Sequence, residues 1–144
     1  MPITTVLDTS VIIKWYRQKE ILADKALIIR DSYLSGYILV SIPSLVVYEL
    51  ANVLRYKTDI KTEEIKEALK SLFNMGIDLI MPSKELIARA IIISRKYDIT
   101  VYDSYFVALA ESFNASFITA DNKLCKQLND LSYVCFLDQV NKIL

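Results

Sequence analysis

The sequence predicts an α/β fold, a mostly parallel sheet covered on both faces by helices. Three observations lead there. Short stretches rich in β-formers alternate with longer stretches of helical periodicity along the whole chain. Glycine and proline number only 2 and 3, too few for the many turns of a β-sandwich. Apolar residues make up 53% of the 144, enough to fill one core, and the length is that of one domain spanning residues 1–144.

The elements follow in order. Residues 3–7 read as a strand, because Val6 and Leu7 favour a pleated surface and Thr4 and Thr5 tolerate one. Residues 10–15 form a short helix or turn. Residues 20–35 form a helix on Ile21, Leu22, Ala26, Ile29 and Tyr33, with Gly36 at the position of a C-cap glycine. Residues 37–42 are a strand stopped by Pro43, and Ser44 is placed to cap a helix over 44–57. Thr62 is placed to cap the next helix, 62–75, whose apolar stripe is Ile65, Ala68, Leu69, Leu72 and Phe73. No strand separates these two helices, so about 44–75 reads as a helical hairpin. Residues 77–81 are a strand, 83–97 a helix capped by Ser83, and 103–113 a helix. Residues 116–119 and 133–137 are strands, with helices at 122–131 and 139–144.

Composition excludes several chemistries. The chain has no histidine, which removes Ser-His-Asp triads, Cys-His pairs and His-ligated zinc. Cys125 and Cys135 stand ten residues apart, neither a zinc knuckle nor a redox Cys-x-x-Cys, and read as buried thiols in a reducing cytoplasm. Seventeen basic residues balance 17 acidic ones, so nucleic-acid binding has to come from local patches. The apolar run at 38–54 is broken by Pro43 and Glu49, a strand and helix rather than a membrane span.

Four acids stand out. Asp8 ends the first strand and Asp121 follows the strand at 116–119; in a parallel sheet both fall at the same edge. Glu49 lies in Leu-Val-Val-Tyr-Glu-Leu-Ala, where a lone carboxylate is costly unless paired or liganded. Asp103 begins the helix that leads back into the sheet. Taken singly, Asp103 and Asp121 are also good helix caps, and Asp8 also suits a turn. Converging, the four would need a cation, and an oxygen-only donor set points to Mg²⁺ or Mn²⁺ and to phosphoryl chemistry. Ser10 and Thr119 flank two of the acids and could steady them, or could be a helix cap and a strand residue.

These motifs, Asp8-Thr9-Ser10 after a hydrophobic strand, Glu49 in an apolar helix, Tyr-Asp103-Ser-Tyr-Phe-Val-Ala-Leu-Ala and Thr119-Ala-Asp121, resemble the PIN domain family in order and spacing. The resemblance covers the whole chain. It implies a Rossmann-like three-layer α/β/α sandwich and Mg²⁺- or Mn²⁺-dependent ribonuclease activity. Asp8, Glu49, Asp103 and Asp121 would bind metal and act in catalysis, with Ser10 and Thr119 as supporting hydroxyls. A short chain of this kind is similar to VapC-type toxins of toxin–antitoxin pairs, which implies an RNA substrate, an antitoxin partner and a homodimer. Many relatives carry a further acid where this chain has Lys123, so one bound ion or two is left open.

For RNA contacts the nearby cations are Lys14, Arg17, Lys19, Lys123 and Lys126, each of which could equally be a solvated surface charge. Trp15, Tyr102 and Tyr105 could stack on bases or pack in the core and rim. A phosphatase on a similar fold would want a second acid where Ser10 stands. A PIN nuclease outside any toxin–antitoxin pair, and a catalytically weakened PIN-like binding module, are the closer alternatives.

Overall fold

A computed structural model describes residues 2–144. Five strands, β1 (Ile3–Leu7), β2 (Ile38–Pro43), β3 (Asp78–Ile80), β4 (Ser116–Thr119) and β5 (Val134–Phe136), form one sheet in the order β3-β2-β1-β4-β5. Every pairing is parallel, with Ile3 opposite Ile38, Val6 opposite Phe117 and Phe117 opposite Val134. The helices are α1 (Thr9–Tyr16), α2 (Ala23–Leu34), α3 (Leu45–Arg55), α4 (Thr62–Asn74), α5 (Lys84–Tyr97), α6 (Val101–Ser112) and α7 (Asn122–Gln127). A 3₁₀ segment, Leu137–Lys142, closes the chain. This is the helix-covered parallel sheet that the alternation of elements predicts, and the α/β/α sandwich that the family resemblance implies.

The strand order places the site. From β1 the chain winds one way through β2 to β3, then returns to β4 on the other side of β1. The direction of winding therefore reverses between β1 and β4. In open parallel sheets the crevice at that reversal, beyond the strands' C-terminal ends, is where ligands bind. Asp8 follows β1 directly and Asp121 stands two residues past β4. The Asp8 N–H donates to Ile118 O at 2.9 Å and prolongs the ladder to the crevice.

Packing holds this edge still. Val6 and Leu7 of β1 and Phe117 and Ile118 of β4 are fully buried, as are Val11 and Ile12 of α1. Helix α6 runs across β1, β2 and β4, with Ser104 to Ala110 all buried. Phe106 stacks on Phe117 with ring centroids 5.7 Å apart. Each such side chain contributes about 1.5–3 kcal/mol over leaving it in water. Gly36 and Gly76, at φ +80° and +71°, turn the chain out of α2 and α4 in the left-handed region that favours glycine.

Several boundaries and caps differ from the sequence expectation. Ser44 has helical backbone angles and makes no capping bond, and Thr62 is the first helical residue rather than the cap. Glu64 supplies the cap there, accepting from the Lys61 N–H at 3.0 Å. Helix α6 starts two residues before Asp103, with Thr100 as its N-cap. Helix α7 stops at Gln127, and the terminal helix is a 3₁₀ segment that begins at Leu137. Helices α3 and α4 adjoin without a strand between them. No helix among the described residues is long and apolar enough to cross a membrane.

Candidate functional site

Asp8 is the buried anchor of the crevice. Its backbone opens α1, but its side chain makes no capping bond. Instead Oδ2 accepts from the Thr119 hydroxyl at 2.7 Å and the Ser10 hydroxyl at 2.8 Å. Ser10 Oγ also accepts from Ala120 N–H at 2.9 Å, and Thr119 Oγ1 from Asp121 N–H at 3.0 Å. The two hydroxyls thus lace the end of β1 to the turn after β4. Neither serves as a cap or as mere strand surface.

Glu49 comes from the exposed side of α3, half-buried, with Oε1 accepting from the Thr9 hydroxyl at 2.7 Å. Thr9 was not singled out from the sequence; the signal that could have found it is its place in Asp8-Thr9-Ser10. Asp103 sits in the first turn of α6, where the Thr100 hydroxyl caps its N–H at 3.1 Å. Its carboxylate therefore does no capping. Asp121 does cap: Oδ1 accepts from Leu124 N–H at 3.1 Å, while the side chain stays exposed.

The electrostatics tie Asp8, Glu49 and Asp103 together. Burial pushes the Asp8 carboxyl above its ordinary value, and the Asp121 charge adds to this against the opposing hydroxyl bonds. Burial also raises Glu49, with Asp8 and Asp103 adding repulsion. Asp103 is raised by burial and by the charges of Asp8 and Asp121. Glu49 and Asp103 each feel two of the other acids and Asp8 feels Asp121, so a positive charge among them would relieve all three. Among the described residues, however, no three Cys, Asp or Glu side chains stand close enough to grip one ion together.

The cleft between them holds about 370 Å³ and is lined by Asp8, Thr9, Ser10, Glu49 and Asp121, with Lys14, Glu20 and Lys57 on its walls. Asp103 is not among the residues lining it. A larger hollow lies elsewhere: about 720 Å³ between Tyr16, Leu54, Ile60 and Ala68, sharing no residue with the carboxylate cleft. The other residues read from the sequence sort clearly. Trp15 and Tyr105 belong to the core, their polar atoms bonded to Ala26 O at 2.9 Å and Met81 O at 3.4 Å. Tyr102 is exposed. Lys14 pairs with Glu20 at 3.3 Å, Arg17 with Asp59 at 2.9 Å, and Lys19 with the same Asp59. Lys123 and Lys126 are exposed on α7, outside the cleft. Cys125 and Cys135 are free and half-buried, with burial pushing the Cys125 thiol up to about 11.

A parallel sheet with a carboxylate crevice at its winding reversal defines a class, and the PIN domain family model matches residues 5–127. The chain belongs to the PIN domain family. Solved structures agree on the fold. A toxin–antitoxin complex from Klebsiella pneumoniae superposes at a TM-score of 0.69 with 14% identity, covering 92% of this chain and 97% of that one. A protein from Pyrobaculum aerophilum gives 0.68 with 16% identity, covering 96% and 86%. VapBC2 from Rickettsia felis, solved with a DNA fragment from the promoter, gives 0.69 with 14% identity, covering 93% and 97%. No curated protein sequence matches the chain.

Proposed function

We propose that this PIN domain is a divalent-metal-dependent ribonuclease and the toxin of a toxin–antitoxin pair, a single domain acting in the cytoplasm as a homodimer. The observation that carries the nuclease reading is the crevice: four carboxylates from four separate segments, three with raised proton affinity, at the edge where parallel sheets bind ligands. The likeness to toxin–antitoxin complexes supports the toxin role and an antitoxin partner.

The donor set fits Mg²⁺ or Mn²⁺. All donors are oxygens, and the chain has no histidine. Mg²⁺ keeps several waters and needs only one or two carboxylates, so the lack of a closed three-acid cage does not count against it. Asp8, Glu49, Asp103 and Asp121 would supply the carboxylates for the metal, one or two directly and the others through its waters, and the metal when bound would polarise a phosphate and acidify water. The protein's own part is positional. Ser10 and Thr119 fix Oδ2 of Asp8, Thr9 fixes Oε1 of Glu49, and the rigid β1–β4 edge keeps the acids' spacing while RNA enters.

The test is cleavage of single-stranded RNA with Mg²⁺ or Mn²⁺ by the wild type beside Asp8→Asn and Asp103→Asn. Loss in both variants supports the reading; equal activity in all three overturns it. The spread of the acids favours one second reading, a PIN-like module that binds RNA or protein without cutting. That reading predicts RNA binding with no metal-dependent cleavage.

A further inference from the structure

The cleft is rich in negative charge, yet a nuclease must admit a polyanion. The cations available to it can be sorted one by one. Lys14 lines the cleft but is held by Glu20, and Arg17 and Lys19 are held by Asp59. Lys123 and Lys126 are outside the lining. Lys57 lines the cleft, is half-buried, and has no carboxylate within ion-pair distance among the described residues.

Its position follows from α3. Glu49, Val53 and Lys57 recur at intervals of four, so one side of α3 and its C-terminal extension faces the cleft with all three. The Lys57 N–H donates to Leu54 O at 3.1 Å, which keeps the backbone close to helical past the last turn. At 1.5 Å per residue, Lys57 stands roughly 12 Å along the helix from Glu49. With its backbone that far from Glu49 but its side chain lining the same cleft, Lys57 is placed to meet a phosphate next to the one at the acids.

We propose that Lys57 binds a backbone phosphate of single-stranded RNA flanking the one cut at the carboxylates. The inference rests on the ribonuclease reading. An unpaired ammonium in the cleft gains a charge-assisted bond to a phosphate that Lys14, the other lysine lining the cleft, is not free to make. Lys57 is then a substrate-binding residue and not part of the chemistry.

The experiment measures cleavage of a fluorescein-labelled single-stranded RNA oligonucleotide by wild type, Lys57→Gln and Lys57→Arg across a salt series, with Tm for each protein. Lys57→Gln is expected to raise KM about tenfold, a charged hydrogen bond's worth, with kcat within about twofold. The slope of log(kcat/KM) against log[salt] becomes shallower by about 0.7, one phosphate contact on a single strand. Lys57→Arg restores both. A cation that only steadied the C-terminal end of α3 would lower Tm in Lys57→Gln and leave KM and slope at wild-type values, which overturns the proposal. An active wild type with an unchanged Lys57→Gln overturns this inference alone; a wild type inactive on RNA overturns the ribonuclease reading and this inference together.

Discussion

The Thr119 hydroxyl donates to Oδ2 of Asp8 across 2.7 Å, linking two residues 111 apart in sequence at the point where the sheet reverses its winding. The same oxygen of Thr119 accepts the Asp121 N–H, so one buried hydroxyl orients two of the crevice acids. Thr119→Val keeps the shape and removes both bonds. Under the proposed function it lowers metal affinity and activity by about 10–100-fold, while Thr119→Ser retains most of both. The check is the metal concentration giving half-maximal cleavage: an effect on the folding transition alone, with that concentration unchanged, would make Thr119 purely structural.

Asp8, Glu49 and Asp103 all have raised proton affinities in the folded state. The sign follows. The folded protein binds more protons than the unfolded chain between the ordinary carboxylate range and the raised values, so stability falls as pH rises through that window. Metal-free protein is therefore expected to melt lower at pH 7 than at pH 5 on account of these groups. Asp8→Asn removes the most buried charge and raises the metal-free Tm at pH 7 by a few degrees. Mg²⁺ or Mn²⁺ raises the wild-type Tm at pH 7 by mass action, and raises that of Asp8→Asn less. Thermal melts of both proteins at the two pH values, with and without millimolar metal, decide it; a metal-blind wild type would remove the case for a bound ion.

Trp15, the chain's single tryptophan, donates its indole N–H to Ala26 O at 2.9 Å and locks α1 onto α2. Trp15→Phe leaves that carbonyl with one partner fewer and a partly filled space. The expected cost is about 1–3 kcal/mol, or a Tm lower by roughly 3–10 °C. Circular dichroism melts measure it. Cleavage well below the new Tm stays near wild type, because Trp15 does not line the cleft; a large loss of kcat there would mean that α1 transmits strain to Asp8.

The alternation of strands and helices was plain in the sequence because parallel strands buried on both faces read as apolar runs, as at Ile38–Pro43 and Ser116–Thr119. That Asp8 and Asp121 fall at one edge was legible too, since the parallel strands before them share a C-terminal side. Caps were less legible. Thr100 and Asp103 are both good capping residues three apart, and only the observed bond from Asp103 N–H to Thr100 Oγ1 decides between them. The pairing of Lys14, Arg17 and Lys19 was hidden because their partners Glu20 and Asp59 depend on how the loop after α1 meets the loop between α3 and α4. Lys57 was hidden for a related reason: the cleft-facing side of α3 is defined only once it packs against α1.

The capping arrangement at α6 separates stability from function. Thr100 carries the cap, and Asp103 carries a half-buried carboxylate that burial and two like charges raise. Thr100→Ala removes the bond to Asp103 N–H and costs about 1 kcal/mol, lowering Tm by about 2–5 °C. Its RNA cleavage at low temperature persists at a reduced level, since the Asp103 side chain remains. Asp103→Asn has the opposite profile. It relieves repulsion from Asp8 and Asp121, holds or raises the metal-free Tm, and abolishes cleavage. Paired melts and cleavage rates for the two variants test this. A destabilised Asp103→Asn with normal cleavage would reassign Asp103 to the fold of α6.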